Sequence, residues 1–154
     1  MAFMTIQEVQ LNPTVLEQLL SLSEEWEQEN SCHGYRKNSP EFIKGNRIFL
    51  AMENGEVLGY LFGHPAVTDR TTSIYREGTA YFEIEELYVK PAYRSRGIGR
   101  RLFQCAEKAV AGEAELLMLT TANKNYRAIL HFYIEELGME FWSACLYKRL
   151  RGGN

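Results

Sequence analysis

Glu86-Leu87-Tyr88-Val89-Lys90-Pro91-Ala92-Tyr93-Arg94-Ser95-Arg96-Gly97-Ile98-Gly99-Arg100-Arg101-Leu102-Phe103 is the stretch that organises the rest of the chain. A β-type run ends at Pro91, and a loop dense in arginine and glycine then opens directly into an apolar-periodic helix. Glycine lets the backbone approach a ligand and adopt turns that a Cβ would block. A helix start offers unpaired N–H groups and the positive end of a dipole, which suits an anion. Arg94, Arg96, Arg100 and Arg101 add charge that matches phosphate. The segment reads as a pyrophosphate site. It is not a Walker loop, because Gly-x-x-x-x-Gly-Lys-Ser/Thr is absent. Nor is it a Rossmann fingerprint, because Leu102 stands where the third glycine belongs.

Working outward, 154 residues suit one domain, 1–154, able to bury roughly two-thirds of its unfolded surface. A composition 45% hydrophobic and 12% aromatic predicts a packed core rather than disorder. The net charge of −3 argues against general nucleic-acid binding. The charges are unevenly placed: Glu24, Glu25, Glu27 and Glu29 cluster early, and basic residues gather between Lys90 and Arg101. Such opposed fields suit an anionic cofactor and a cationic partner, although a solvated helix face explains the glutamates equally well. Cys32, Cys105 and Cys145 are odd in number and lack Cys-x-x-Cys spacing, which speaks against a disulfide framework or a structural zinc; no metal is expected. Without a leader pattern or an apolar run of spanning length, the expectation is a cytoplasmic protein with no membrane association.

Element by element, residues 3–10 read as a strand. Asn12-Pro13 caps a helix running to about Gln28 on Val15, Leu16, Leu19, Leu20 and Leu22. Ser39-Pro40-Glu41 starts a short second helix. Arg47–Glu53 and Glu56–Phe62 flank Asn54-Gly55, a hairpin with a type I′ turn. Tyr81–Val89 is the strand entering the glycine loop, and a helix follows over Gly99–Ala111. Glu115–Thr121 reads as a buried strand, Asn125–Leu137 as a helix ended by Gly138, and Glu140–Arg149 as a closing strand before a frayed Arg151–Asn154 tail. The order β-α-α-β-β-β-α-β-α-β describes an α/β domain with helices flanking one mixed sheet.

Over residues 5–149 the chain resembles the GNAT superfamily of N-acyltransferases. The match is most specific at Arg94-Ser95-Arg96-Gly97-Ile98-Gly99, which fits the family's Arg/Gln-x-x-Gly-x-Gly/Ala signature, and at the preceding Leu87–Tyr93 strand end. A second match is Asn125-x-x-Ala128 with Phe132-Tyr133 and Leu137-Gly138-Met139. Here Ala128 to Tyr133 and Tyr133 to Gly138 are each five residues apart, where relatives have four. The helix is therefore two residues longer or carries a bulge, and each residue of offset turns a side chain by ~100°.

The resemblance implies acetyl-CoA as co-substrate, bound where two neighbouring strands splay. Its pantetheine arm would pair with backbone at Leu87, Tyr88 and Val89 and touch Asn125. Its pyrophosphate would be held by the loop Arg94, Ser95, Arg96, Gly97, Ile98, Gly99 and Arg100, and an N–H near Val89 would polarise the thioester. The implied reaction is direct transfer, in a ternary complex, of acetyl to a primary amine of a small molecule, antibiotic-like compound, amino acid or peptide. Because relatives often pair, a homodimer is also among the implications.

An alkylamine is mostly protonated near neutrality, its pKa being ~10.4, so a carboxylate must take a proton. By the two-residue strand period Glu83 and Glu85 share one face and Glu86 the other; Glu83, matching a base position in several relatives, comes first, then Glu85, then Glu86. Tyr133 is the candidate acid for the departing thiolate. Cys105 and Cys145 have no activating partner in their motifs, which argues against an acyl-cysteine route. By analogy the acceptor pocket would draw on Trp26–Tyr35, Ile74-Tyr75, Phe141 and Trp142. The competing reading is a non-catalytic CoA-binding or sensor domain that keeps the glycine loop without turnover.

Overall fold

Asn54 and Gly55 both take left-handed backbone angles, φ 54° and 78°. They close the hairpin between β2, Arg47–Glu53, and β3, Glu56–Val67, as the right-handed twist of paired strands requires. In the computed structural model, which describes residues 3–152, this hairpin is the middle of a five-stranded sheet. Strand β1, Met4–Val9, pairs antiparallel with β2, and β4, Ala80–Val89, antiparallel with β3. The short β5, Leu116–Met118, joins β4 in parallel, giving the spatial order β1-β2-β3-β4-β5.

Helices cover both faces. Helix α1, Pro13–Glu29, starts where Asn12 accepts from the Val15 N–H at 2.8 Å, and α2, Pro40–Ile43, where Ser39 accepts from Phe42. These caps satisfy first-turn donors that the helix itself cannot. Leu19, Leu22 and Ile43 from this layer pack on Leu50, Tyr60, Phe62 and Tyr88 of the sheet. On the opposite face α3, Ile98–Val110, inserts Leu102, Phe103 and Ala106 against Phe49, Leu61, Phe82 and Ile84. No helix among the described residues is long and apolar enough to cross a membrane.

The α/β architecture and the order of the first nine elements match the sequence expectation, but two elements differ. The expected helix over Asn125–Leu137 is an α-helical turn, α4 at Tyr126–Leu130, continued by a π-helical segment at His131–Glu136. The Leu137 N–H reaches back to the Phe132 carbonyl at 3.1 Å, so the bulge read from the five-residue spacings is present. Gly138 ends it at φ 76°.

The closing strand expected over Glu140–Arg149 is not formed. That segment is irregular, and Leu146 and Leu150 are each 90% exposed. A β-type pattern becomes a strand only when an edge pairs with it and a face covers it. Trp142 meets Tyr75 edge-on at 5.7 Å and Tyr147 meets His33 at 6.4 Å. Of the tail expected to fray, Gly153 and Asn154 lie outside the described residues.

Candidate active site

The site begins with an unpaired stretch of strand. Pairing between β4 and β5 covers only Tyr81, Phe82 and Glu83, opposite Leu116, Leu117 and Met118. From Ile84 to Val89, β4 stays bonded to β3 on one side while its other edge opens into a gap. The Lys90 N–H donates to the Leu58 carbonyl at 2.9 Å. By the alternation of an antiparallel ladder, Leu87 and Val89 then turn their backbone groups away from β3 and into that gap, whereas Tyr88 faces β3. The three residues expected to meet a pantetheine arm therefore divide: Leu87 presents its backbone polar groups, Val89 presents its N–H while its carbonyl accepts from Arg94 Nε at 2.8 Å, and Tyr88 packs its ring into the core.

At the end of this edge lies the loop. Ser95 and Gly97 both have left-handed backbones, φ 64° and 78°. For a non-glycine such as Ser95 that conformation costs roughly 1 kcal/mol. The first helical backbone bond of α3 runs from the Arg101 N–H to the Gly97 carbonyl at 3.0 Å. The amides of Ile98, Gly99 and Arg100 precede it and keep their N–H groups for a ligand. Arg94, Ser95, Arg96 and Gly97 are exposed, and a Cβ built on Gly97 would have nothing within 4 Å. A side chain at position 97 would therefore stand in open space, and the chemistry of the neighbouring amides suits an anion such as a diphosphate.

Gly99 has a different reason to be glycine. A Cβ there would stand 3.3 Å from the Phe132 ring of the π segment, so its small size lets the start of α3 approach that segment.

Arg94, Arg96 and Arg100 do not act alike. Arg94 turns its guanidinium away from the loop and onto Glu29 at 2.7 and 2.8 Å. Arg96 lies over the Tyr93 ring at 5.3 Å, and Arg100 bonds Glu136 at 2.9 Å. Asn125 caps α4 by accepting from the Ala128 N–H at 3.3 Å, which occupies its carbonyl oxygen within the helix start.

Strand β4 carries the largest departure from the simple strand reading. Its register against β3 slips between Phe62 and Gly63: Phe62 faces Glu86 and Gly63 faces Ile84, so Glu85 is an extra residue. This is a β-bulge, and it shifts the side-chain alternation by one. Phe82 and Ile84 point to the α3 layer, and so do Leu87 and Val89, whereas Glu86 and Tyr88 point to the α1 layer. Glu86 therefore shares the face of Glu83 instead of lying opposite, which corrects the expectation from unbroken two-residue periodicity. A Cβ on Gly63 would collide with the Glu83 carbonyl oxygen. A glycine inside a strand pattern is the sequence signal for such a feature.

The three carboxylates then have separate surroundings. Glu83 is half-buried; burial raises its pKa and the Glu85 charge adds to this, with His64 opposing. Glu85 bonds His64 Nε2 at 2.9 Å. Burial lowers the His64 pKa, but the Glu85 bond, the Pro65 carbonyl and the Glu85 and Glu83 charges outweigh it, and the net shift is upward.

Glu86 is 7% exposed. Its Oε1 accepts from Tyr60 Oη at 2.8 Å, Asn38 Nδ2 at 2.9 Å and Tyr35 Oη at 3.2 Å. Burial raises its pKa, and the three donors oppose that shift. Above this group Trp26 stacks on Tyr35 and Tyr88, with centroids 4.2 and 5.0 Å away. Tyr35 lies at the end of the Trp26–Tyr35 stretch expected at the acceptor pocket, whereas Asn38 and Tyr60 were not legible as its companions, because the α1–α2 connection and β3 meet Glu86 only in the folded chain.

Tyr133 lies on the π segment, buried beside Phe103 and Phe132. Burial pushes its phenol well above the usual tyrosine range, with a further contribution from Cys32.

A mixed sheet opened beside a glycine loop, with carboxylates facing one helical layer, defines a domain that can hold a phosphate-bearing carrier through backbone amides. The chain belongs to the Acetyltransferase (GNAT) family, whose profile matches residues 14–139. The fold is shared with the aminoglycoside N-acetyltransferase AAC(6')-Iy in complex with CoA, at 18% identity and TM-score 0.66, over 98% of this chain and 97% of that one. It is shared also with the aminoglycoside acetyltransferase meta-AAC0020 from an uncultured soil metagenomic sample, in complex with trehalose, at 18% identity and TM-score 0.67 over 97% of each chain. A tetramutant of the BH1408 protein from Bacillus halodurans gives TM-score 0.71 at 20% identity, over 95% of this chain and 99% of that one. No curated protein matches the chain in sequence.

Proposed function

We propose that this acetyltransferase-family protein moves an acetyl group from acetyl-CoA to a primary amine by direct transfer in a ternary complex. The observation that carries the reading is the open β4 edge at Leu87 and Val89, which runs straight into the free amides at the start of α3. Extended pantetheine can add to that edge as a strand would, and the loop amides can take the diphosphate. A gap N–H of β4 can then stabilise the oxyanion that forms when the thioester carbonyl is attacked.

The amine side is supported by Glu83, Glu85 and Glu86, which make the α1-facing side of β4 acidic next to the gap. These carboxylates favour a cationic acceptor and provide for its deprotonation. Tyr133, held protonated by burial, suits the donor to the departing thiolate. The resemblance to aminoglycoside acetyltransferases makes aminoglycosides the first acceptors to try, alongside polyamines, amino acid amides and peptides.

Calorimetry with acetyl-CoA, followed by a thiol-release assay over that amine set, tests the reading. The expected outcome is saturable binding and steady CoA release with at least one amine. Binding with no release from any amine would leave the CoA-binding sensor reading instead, and no binding would exclude both.

A further inference from the structure

Beyond Met118 the chain that forms β5 takes a new partner. The His33 N–H donates to the Ala122 carbonyl at 2.9 Å and the Lys124 N–H to the Ser31 carbonyl at 2.8 Å, with Cys32 and Asn123 in an antiparallel bridge between them. Lys124 Nζ adds a bond to Asn30 Oδ1 at 3.1 Å. The α1–α2 connection is thereby laid against the stretch of chain across the gap from the open edge of β4. Counted in step from the Glu83–Met118 pair, Asn123 comes level with Tyr88, and the surplus residue at Glu85 moves it on to Val89. Cys32, the partner of Asn123, therefore stands at the height of Leu87–Val89 on the far bank of the gap.

This placement sets Cys32 apart from the other thiols. Cys105 belongs to α3 and packs against its core, and Cys145 is exposed on the irregular C-terminal segment. Cys32 is half-buried.

A second group points to a ligand in the same place. Tyr133 is 9% exposed, yet among the described residues its hydroxyl has no hydrogen-bond partner. Asn46 Oδ1 alone is a fully buried side-chain N or O atom without one, so the Tyr133 hydroxyl reaches an opening instead of sealed core. Burial raises its phenol and the Cys32 thiol adds to this, which sets thiol and phenol beside one another. A buried hydroxyl without a partner is costly until something completes it. Under the acetyl-transfer reading that partner is the CoA sulfur, with pantetheine along Leu87 and Val89.

We propose that Cys32 is a site of reversible modification by CoA disulfide, and that the mixed disulfide shuts the acetyl-CoA site. The assignment rests on the acetyl-transfer reading above. In the balanced step Cys32 gives up its thiol proton and its sulfur attacks one sulfur of the CoA disulfide. The S–S bond between the two CoA molecules breaks as the Cys32–CoA S–S bond forms. The second CoA leaves as thiolate and takes up that proton. The reagent brings the oxidised sulfur pair, and a thiol reductant reverses the exchange.

Binding through the loop amides holds a CoA sulfur at Cys32 and so makes the exchange effectively intramolecular. Glutathione disulfide has neither diphosphate nor pantetheine and lacks that advantage. The exposed Cys145 gains it from neither reagent and serves as the internal reference.

The test treats full-length wild type with CoA disulfide or glutathione disulfide at equal concentration and maps the adducts by peptide mass spectrometry. Cys32 should take up CoA at least about tenfold faster than glutathione, while Cys145 shows no such preference. Saturating acetyl-CoA should protect Cys32 and leave Cys145 reactive. Calorimetry should show acetyl-CoA binding lost in step with the Cys32 adduct and regained with dithiothreitol. No adduct at Cys32, equal rates there with the two reagents, or an adduct that acetyl-CoA does not slow overturns the proposal; acetyl-CoA binding to the untreated protein then leaves the acetyltransferase reading intact. An untreated, folded protein that does not bind acetyl-CoA overturns both.

Discussion

Arg94 grips both carboxylate oxygens of Glu29, at 2.7 and 2.8 Å, while its Nε donates to the Val89 carbonyl at 2.8 Å. One side chain thereby ties the end of α1 to the glycine loop and to the strand edge that opens into the gap. The guanidinium also covers the Tyr88 ring at 5.4 Å. The first arginine of the signature acts here through position, because its charge is already spent on a carboxylate.

Breaking this pair should cost stability modestly. Arg94 and Glu29 side chains are 41% and 23% exposed, so a double-mutant cycle of R94A and E29Q by urea unfolding should give a coupling of about 1 kcal/mol. The Arg94 bond, the largest cause, holds Glu29 below the ordinary carboxylate range, and burial opposes it. A depressed carboxyl stabilises the fold above its unfolded pKa and loses that contribution as pH falls through the folded one. The stability difference between wild type and E29Q should therefore shrink below pH 4.5; a constant difference down to pH 2.5 would contradict the pairing.

Gly97 separates binding from folding. Alanine at φ 78° meets no neighbour but bears backbone strain, about 1 kcal/mol. Gly97→Glu adds a negative charge where the diphosphate would sit. Calorimetry should show G97A folded and binding acetyl-CoA somewhat more weakly, and G97E folded with binding lost. Retained affinity in G97E would place the diphosphate elsewhere.

Gly63 holds the bulge that turns Glu86. Because a Cβ would strike the Glu83 carbonyl oxygen, G63A must displace backbone and should lower stability by about 1–3 kcal/mol. Turnover should fall further than stability does. An alanine variant with wild-type melting and kcat would show the bulge to be dispensable.

Tyr133→Phe removes one hydroxyl from a buried ring. With the phenol held protonated by burial, its loss should cut kcat about 100-fold with the acetyl-CoA Kd unchanged. Unaltered kcat would return Tyr133 to the core as a packing residue.

Glu83→Gln removes charge from the acceptor side, with no loss of the groups that clasp Oε1 of Glu86. A raised acceptor KM, about fivefold for about 1 kcal/mol of attraction, with kcat within threefold, is the expected pattern. A collapse of kcat in E83Q would instead make Glu83 the group that takes the acceptor proton.

Much of the fold is written in short-range chemistry. Asn12-Pro13, Ser39-Pro40 and Asn54-Gly55 set their caps and turn because the relevant partners lie within a few residues. The five-residue spacings around Tyr133 announced the π segment, since one surplus residue must be absorbed within a helix. Glu140–Arg149 failed as a strand because pairing depends on a distant edge, about which a local pattern is silent.

The linear chain alone determined the layered α/β domain, the turn that offers backbone amides to an anion, and the presence of three acidic groups ahead of it, all through contacts between near neighbours. The tertiary structure alone decided which way those acids point and what surrounds each. A slip of one residue between β3 and β4 reversed the facing of Glu86, and Asn38, Tyr35 and Tyr60 reached it from 48, 51 and 26 positions away. Pairing register and long-range convergence follow from packing the whole sheet, which is why no stretch of sequence read by itself contains them.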